Sequence, residues 1–380
     1  MKKAYSRIAL ALVFTLPLAT NGQDFEFILD QAEDIPLVTS QFVAEYQRDI
    51  NQNIGTAFFN VAQSGLSNLN KNEFSISLVG GSSYLTESNI SNPINLDVSP
   101  SGLYYFPEAI PTIFNSADGT DLVYGFIDPA TGQPLVDPTT GDNVEVAVGV
   151  PGGQGLGFGA TPAGTIGVGY GVGANTTIYA TFTPMLYSSM GDQFDELSIE
   201  NDFSFGFHVK HEFGSWVPFL ADNGILTSLS LGYNQYSISG NSATIDPTVV
   251  DVSMGYELRT SALEFDFSTV LNTIGTRLDI AKRFGFIEVG VFGDYVTSSY
   301  TSTSDGTMDV ELVNTDMNEV EDSRTLSDFV NYDDSVSSMG GGVNITLGQG
   351  WFRGTLNYRY SEVQNFGFGL LFVLNRQEGI

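Results

Sequence analysis

The chain has 380 residues, 44 of them acidic and 14 basic, so its formal net charge is −30, and it contains no cysteine. This charge excludes nucleic acid as a partner, because phosphate binding needs clustered Lys and Arg. The lack of cysteine excludes a disulfide-framed secreted domain and a lipid anchor on an N-terminal cysteine.

The first 22 residues have the layout of a secretory signal peptide. Lys2, Lys3 and Arg7 precede an apolar run over residues 8–18, and small residues at 19–22 offer a cleavage site before the next residue. The apolar run is too short to span a membrane as a helix. An N-terminal core helix is the alternative interpretation. We expect the signal peptide to be removed from an exported chain.

The rest of the chain holds no run of about 18 apolar residues, so we expect no helix to span a bilayer. A closed β-barrel is the other structure that can cross, because it leaves no backbone group unpaired in hydrocarbon. The composition fits a barrel, with 42 Gly, 28 Phe and 17 Tyr. The mean hydropathy of +0.03 is expected where apolar and polar residues alternate.

Residues 23–70 are predicted to contain a helix. Apolar side chains recur there at every fourth position, which is the spacing of one helix face. They are Val38, Phe42, Tyr46, Ile50 and Ile54. Because the segment precedes the first predicted strand, it either plugs the barrel lumen or caps the barrel from the periplasm. The sequence leaves both possibilities open.

Residues 71–380 are predicted to form the barrel. In residues 351–360 a period of two separates one face, Phe352, Leu356, Tyr358 and Tyr360, from the other, Arg353, Thr355, Asn357 and Arg359. Similar patterns predict strands at 73–80, 165–172, 176–186, 203–210, 226–238, 250–258, 263–269, 274–282, 287–295, 337–347 and 364–374. We therefore predict an all-β fold, a transmembrane antiparallel β-barrel of about 14 strands, with 12 as the alternative count. A soluble sandwich would alternate too, but charges at mid-strand and a face rich in Phe and Tyr favour the barrel.

Two long loops are expected, at residues 82–163 and 301–335. The first is rich in Pro, Gly and Asp and has weak strand candidates near 102–106, 121–127 and 143–149. The second is strongly acidic. Its carboxylates could hold Ca²⁺, but their spacing matches no EF-hand, and a solvated extracellular loop is the simpler interpretation.

Charged residues on the predicted strands are expected to face the lumen. They are Lys210, Asp251, Glu257, Glu264, Asp266, Glu288, Asp294, Arg353 and Arg359. Such charges would select the solutes that pass. Cross-strand ion pairs that hold the barrel together are the equally weighted alternative.

No catalytic site, metal site or cofactor is expected. The only histidines, His208 and His211, lie three residues apart on one predicted strand, so they face opposite sides and cannot share a metal or a site. A hydrolase would need a Ser, Asp or Glu from another strand beside His208. No such partner is evident in the sequence, so we do not expect an enzyme.

The order of the parts resembles the long-chain fatty-acid transporter (FadL-type) superfamily of outer-membrane barrels. In that superfamily a small-aromatic-aromatic-Asn-Pro-Ala stretch leads from an N-terminal plug into the first strand. Here residues 57–66 lead into the strand at 74–78, and Val61 stands in place of the proline. A closer resemblance, at residues 110–114, 152–173, 208–213 and 216–218, is to a related outer-membrane family without an established activity. The resemblance implies a barrel of about 14 strands with an N-terminal plug that passes hydrophobic compounds. Other members of the superfamily are shuttles in protein secretion and surface attachment.

These patterns predict a passive channel in the outer membrane of a Gram-negative bacterium for small, hydrophobic solutes. The plug segment would gate the channel or bind its ligand through Phe42, Tyr46, Phe58, Phe59 and Asn60. The alternative is a protein-binding barrel, a secretion shuttle or surface attachment factor that uses its long loops. The expected partners are outer-membrane lipid, hydrophobic small molecules and, in the alternative, a secreted protein.

Overall fold

The structure, a computed structural model, is built from strands and one long helix. It describes residues 29, 35–85, 104–105, 121–128, 131–134, 136, 141–143, 145–149, 160–183, 198–201, 204–241, 247, 249–253, 256–263, 266–348 and 350–375. The predicted signal peptide at residues 1–22 lies outside this part of the chain.

The elements are numbered in chain order. The first half holds α1 (Ile35–Ser64), β1 (Phe74–Leu85), β2 (Tyr104–Tyr105), β3 (Asp121–Asp128), β4 (Gln133–Pro134), β5 (Glu145–Gly149), β6 (Ala160–Gly173), β7 (Thr176–Phe182), β8 (Ser198–Asn201) and β9 (Phe205–Glu212). The second half holds a 3₁₀ turn (Gly214–Trp216), α2 (Pro218–Asp222), β10 (Ile225–Asn241), β11 (Val249–Ser253), β12 (Tyr256–Thr260), β13 (Asp266–Phe284), β14 (Ile287–Asp305), β15 (Met308–Asn314), β16 (Glu319–Leu326), β17 (Asn331–Leu347), β18 (Phe352–Tyr360) and β19 (Val363–Leu374).

Ten strands close into an antiparallel ring in the order β1–β6–β7–β9–β10–β13–β14–β17–β18–β19. Strands β19 and β1 complete it in a register that pairs Phe74 with Leu374. The all-β barrel prediction is therefore confirmed. The predicted count of about 14 strands, or 12, is corrected to ten, because every strand of the ring is paired on both sides. Strand β8 pairs with the end of β10 that β9 does not reach and therefore adds no position to the ring.

Several predicted strands exist but belong to other sheets. Strands β11, β12, β15 and β16 form a separate four-stranded sheet, and β2 to β5 form a smaller one. Side-chain alternation identifies a strand without identifying the sheet that it joins. This explains the overcount at residues 250–258 and in the loops.

The two ends of the ring differ. At one end the connections are mostly short, such as residues 174–175, 285–286 and 348–351; we call this the short-turn end. At the opposite end, the long-loop end, the chain leaves the ring between β1 and β6, β7 and β9, β10 and β13, and β14 and β17. Both separate sheets are inserted there. In bacterial outer-membrane barrels generally, the short turns lie on the periplasmic side and the long loops outside the cell.

Helix α1 lies inside the ring. Its 30 residues make it about 45 Å long. Near its start, the Ser40 hydroxyl donates to the Asn331 carbonyl at 3.0 Å, at the long-loop end. Its last turn lies at the short-turn end, where residues 65–73 lead into β1. None of the described helices is long and apolar enough to cross a membrane.

Strand side chains alternate between a buried inner face and an exposed outer face. On β14 the outer face carries Val289, Val291 and Tyr295, and the inner face carries Asp294 and Ser298. The outer faces of β1, β18 and β19 are likewise dominated by exposed Phe, Leu, Ile and Tyr. The fold therefore turns its apolar side chains outwards and its small and polar side chains towards the helix.

Candidate functional site in the barrel lumen

An apolar contact joins α1 to the wall in the middle of the lumen and towards the long-loop end. Its buried members are Ile54, Ala57, Phe58, Val61, Val79, Ala163, Tyr236, Leu271 and Tyr300, with Tyr332 and Val336 packed against them. The Phe58 ring stacks on Tyr236 with centroids 5.0 Å apart. Large apolar side chains on the helix thus fill the lumen and exclude water at this level.

Phe59 occupies a slot that two glycines leave in the wall. Gly232 on β10 and Gly275 on β13 pair with each other. A Cβ added to Gly275 would lie 2.4 Å from the Phe59 ring, and one added to Gly232 would lie 3.1 Å from it. Glycine is required at such close approaches because any side chain would displace the ring. The ring therefore has a defined seat in the wall.

Polar contacts hold the last turns of the helix. The Asn357 amide of β18 donates to the Asn60 carbonyl at 3.3 Å and lies 2.5 Å from the Ser64 hydroxyl. The Gln63 amide approaches His208 Nδ1 at 3.4 Å. These contacts fix the helix end against two separate parts of the wall.

His208 is fully buried, on the inner face of β9, and its second ring nitrogen lies 3.2 Å from the Asn234 amide oxygen. His211 lies on the outer face beside Thr176 and Trp216, so the two histidines face opposite sides. Within the described residues, the hydrogen-bonding partners of His208 are two amides. A hydrolase would need a carboxylate or a hydroxyl there.

The wall behind the helix is rich in hydroxyl and amide groups. Its buried inward side chains include Ser75, Ser77, Thr165, Thr177, Thr181, Ser230, Asn234, Thr273, Ser298, Asn357 and Asn365. Some of their polar atoms, among them Ser75 Oγ and Ser230 Oγ, have no hydrogen-bond partner in the described part of the chain. Burying such groups without partners costs free energy, so this wall suits water better than it suits a packed helix.

A cavity of about 430 Å³ lies between the end of α1 and the wall at the short-turn end; we call it the vestibule. Charged side chains line it, and they are Glu73, Lys210, Glu212, Arg277, Asp279, Arg283, Glu288 and Arg353. Arg277 pairs with Asp279 at 2.9 Å, and Arg283 pairs with Glu288 at 2.7 Å. The Arg353 guanidinium donates to the Ser67 hydroxyl just after the helix. The vestibule is a space in which charged side chains could hold a solute.

Five of the nine residues predicted to line the lumen do lie on its inner face. Lys210, Glu288 and Arg353 line the vestibule. Asp294 and Arg359 form a fully buried ion pair with Nε and Oδ1 2.8 Å apart. Three of these charges therefore face open space, and the other two join β14 to β18 across β17.

Three of the other four predicted residues lie elsewhere. Asp251 and Glu257 are on β11 and β12, outside the ring, where Glu257 pairs with Arg259 at 3.0 Å. Asp266 is exposed at the long-loop end of β13, on the outward-facing set of that strand. Glu264 lies outside the described residues. The errors have two causes. Strands β11 and β12 belong to the separate sheet, and the prediction assigned the two faces of the strand at Asp266 the wrong way round.

Of the predicted plug residues, Phe58, Phe59 and Asn60 are buried in the lumen. Phe42 and Tyr46 are on α1, but their side chains lie outside the description. The sequence analysis missed Arg277 and Asp279, although their strand was predicted. They lie two residues apart in an otherwise apolar and small-residue strand, and that spacing puts both on one face.

The acidic residues expected in the loop at 301–335 are spread over β14 to β17. Within the described residues, no group of three or more His, Asp or Glu side chains is placed to hold a metal ion. Their most evident contacts are local, such as Asp309 with the Thr325 hydroxyl at 2.7 Å.

A family model described as "Family of unknown function (DUF6588)" matches residues 1–374. The chain belongs to this family. No curated protein matches the chain. The DUF6588 match covers the helix and the whole ring together, so both are parts of one family architecture.

Solved structures give weaker likenesses. The translocator domain of autotransporter NalP from Neisseria meningitidis is 12% identical, with 87% of this chain and 98% of that chain covered and a TM-score of 0.32. A BenF-like porin from Pseudomonas fluorescens Pf-5 is 9% identical, with 81% and 99% covered and a TM-score of 0.13. The outer membrane protein opdK from Pseudomonas aeruginosa is 8% identical, with 80% and 100% covered and a TM-score of 0.13. Likenesses at these TM-scores are too weak to assign a function.

Proposed function

We propose that this protein is an outer-membrane channel for small solutes and that helix α1 closes it. The observation that carries the proposal is the hydroxyl-rich wall behind the helix. A barrel whose interior is permanently filled by a helix has no need of a wall that water can wet.

The outer face of the ring supports the membrane location. Exposed apolar side chains alternate along the ring strands, as in Phe366, Phe368 and Leu370 of β19. Exposed aromatic side chains lie near the short turns, including Trp216, Phe284 and Trp351. Aromatic residues concentrate where a bilayer meets water, so these residues suit the periplasmic interface.

The fit between helix and wall supports a closed state. Apolar contacts around Phe58 and the seat of Phe59 fill the lumen, while the polar contacts of Asn60 and Ser64 fix the helix end. When the helix leaves, water can take over the hydrogen bonds of the serine, threonine and asparagine side chains on the wall. This replacement lowers the free-energy cost of opening.

The vestibule favours polar solutes over the hydrophobic ones that the sequence predicted. Its lining is charged, and the apolar cluster is occupied by the helix itself. Transport of hydrophobic compounds, together with the resemblance to the FadL-type superfamily, stays a prediction.

The proposal is tested by conductance of the purified protein in planar bilayers. Deleting residues 35–64 should convert a closed barrel into an open pore. Because the chain has no cysteine, the pair Ser64→Cys and Asn357→Cys can also be joined by a disulfide that fixes the helix end. The oxidised pair should stay closed. The reduced pair should open, because it lacks both the disulfide and the Asn357 hydrogen bonds that hold the helix end in the unchanged chain.

Two results would overturn the channel. One is a deletion variant that is folded, as judged by heat-modifiable mobility, and does not conduct. The other is equal conductance of the oxidised and reduced pairs. Fatty-acid uptake into liposomes by the same variants tests the hydrophobic-solute prediction separately.

A second candidate function, binding of a secreted protein, is favoured by the sheet of β11, β12, β15 and β16 at the long-loop end. Its outermost strands expose apolar side chains such as Val249 and Val320. Exposed strands can pair with an extended segment of a partner. Co-purification of a secreted protein that is lost when residues 249–263 are replaced by a short linker would favour this function.

A further inference from the structure

We propose that the vestibule binds a small organic anion through a carboxylate group, with Arg277 as the main contact. The inference names the solute class of the proposed channel and rests on that function for its role. The binding itself is independent of transport and is measured without it.

The first observation is the distribution of charge. The whole chain has 14 basic and 44 acidic residues. The vestibule is lined by four basic residues, Lys210, Arg277, Arg283 and Arg353, and four acidic ones, Glu73, Glu212, Asp279 and Glu288. A large share of the chain's few cations is therefore gathered here. An anion is repelled less in the vestibule than over most of the molecule.

The second observation is that the carboxylates of the vestibule already have donors. Asp279 accepts from Arg277 at 2.9 Å and from the Asn344 amide at 3.0 Å. Glu288 accepts from Arg283 at 2.7 Å. Glu212 and Glu73 accept from nearby groups, which are the Ser215 and Asn70 backbone amides and the Asn175 and Asn70 side chains. The exception is Asp279 Oδ2, which has no hydrogen-bond donor among the described residues and lies 3.9 Å from the Lys210 ammonium. The other carboxylates of the vestibule already accept hydrogen bonds.

Several N–H donors of the vestibule, in contrast, have no hydrogen-bond acceptor among the described residues. Arg277 is 3% exposed, and its Nε and Nη2 both engage the same oxygen of Asp279. Its Nη1 has no hydrogen-bond partner among the described residues. The Lys210 ammonium lies 3.9 Å from Asp279, a contact that leaves most of its donors free for another group. A buried guanidinium with idle N–H groups needs an acceptor, and an anion supplies the strongest one.

Arg277 is also held in place. Its guanidinium carbon lies 3.4 Å from the centre of the Phe292 ring, so the planar group is stacked on one side and paired with Asp279 along one edge. A planar guanidinium held in one orientation suits a planar carboxylate better than it suits a spherical ion. The end of α1 carries a partial negative charge, and the Arg353 contact at Ser67 offsets it.

The cavity also suits the carbon part of the ligand. Leu226, Phe286, Leu371 and Val373 lie in the same lining as the charges. A volume of about 430 Å³ is enough for a carboxylate of several carbons, within the range of small-molecule sites. Inorganic phosphate would use the N–H groups and would make no use of these apolar side chains.

The test is isothermal titration of the full chain in detergent with succinate, acetate and inorganic phosphate as separate probes. Succinate should bind saturably and acetate should compete with it. Arg277→Met should weaken succinate binding at least about tenfold, because a charge-assisted contact is lost. Lys282→Met is the matched control. Lys282 is exposed outside the vestibule near Phe284, and its loss should leave binding unchanged.

Lys210→Met is a second variant, made in case the Arg277 variant misfolds. Its ammonium group lies 3.9 Å from Asp279, a long contact, so its loss should leave the fold intact and should also weaken succinate binding. The inference is overturned if the full chain binds neither carboxylate, if phosphate alone binds, or if the Arg277 and Lys282 variants bind equally. A barrel that conducts after helix deletion but binds no succinate loses this inference and keeps the channel. A barrel that binds succinate but never conducts keeps the site and loses the channel.

Discussion

The helix-filled part of the lumen and the vestibule are built from the same barrel strands, yet they are filled in opposite ways. Around Phe58 and Phe59 the helix brings large apolar side chains to a wall that offers Tyr236 and Leu271 to the first ring and two glycines to the second. In the vestibule the helix ends in Gln63, Ser64 and Gly65, and the wall brings the large charged side chains. The helix therefore supplies the large side chains that close the lumen, whereas the barrel wall supplies the charged side chains of the vestibule.

This division has a consequence for mutations. Changes on the helix should alter whether the lumen is open while the ring stays intact. Changes to buried wall charges should alter the stability of the ring. The predictions below set these two classes of change against each other.

The largest effect is expected from Gly55→Leu on the helix. A Cβ at Gly55 would lie 2.1 Å from Ser298 Oγ and 2.9 Å from Thr273 Oγ1, so a leucine cannot fit between helix and wall. The variant should change from closed to open in single-channel recordings while remaining a folded barrel. Gly293→Leu is the control, since Gly293 is on the exposed face of β14 and a Cβ added there would lie 3.9 Å from the Gly340 carbonyl oxygen, an ordinary contact.

An unfolded Gly55 variant would contradict the division of roles. It would mean that the helix is an obligatory core of the ring. In that case mutations could not separate the role of the helix in closing the lumen from the role of the wall charges in stabilising the ring.

The next effect is expected from Arg359→Met in the wall. Arg359 and Asp294 are fully buried, and the guanidinium also donates to the Val363 carbonyl and the Ser338 hydroxyl, both at 3.0 Å. Removing one partner leaves a buried charge unpaired, which costs about 3–5 kcal/mol. Urea unfolding in lipid vesicles should show this loss. The double change with Asp294→Asn should recover part of it, and no recovery would argue that lost packing, not the charge, is responsible.

A smaller effect is expected from Phe58→Ala, which removes the ring stacked on Tyr236. Phe→Ala changes in cores cost about 3–5 kcal/mol. The cost should lie at or below the low end here, because water can enter along the polar wall. We expect brief openings in bilayer recordings and little change in urea unfolding of the ring. Continuous conductance like that of Gly55→Leu would mean that this one contact closes the channel.

Much of the ring was predictable from the sequence because a period of two fixes which side chains share a face. The alternation of Phe352 to Arg359 assigned both faces of β18 correctly, and the same logic separated His208 from His211. The strand count failed because sheet membership depends on long-range pairing. Nothing in residues 249–263 distinguishes a strand of the ring from a strand of a separate sheet.

The position of the helix was not predictable from its apolar stripe, because a helix inside a barrel is surrounded on all sides. Residues such as Asn51, Asn53 and Asn60 are as deeply buried as Phe59. A better signal was available. Residues 50–70 contain no Asp, Glu, Lys or Arg, and a long stretch without charge in a strongly acidic chain indicates burial.

The smallest effect is expected from Arg283→Gln, which removes an ion pair at the mouth of the vestibule. Arg283 is 53% exposed at its side chain, and its contact with Glu288 is 2.7 Å. Exposed pairs contribute at most about 1 kcal/mol, because water and salt screen them. Urea unfolding should therefore barely change, in contrast to Arg359→Met, although both variants remove one guanidinium from the same wall. Equal losses of unfolding free energy in the two variants would mean that burial does not determine how much an ion pair of this wall contributes to stability. The contrast drawn between the helix-filled lumen and the vestibule would then not extend to their charges.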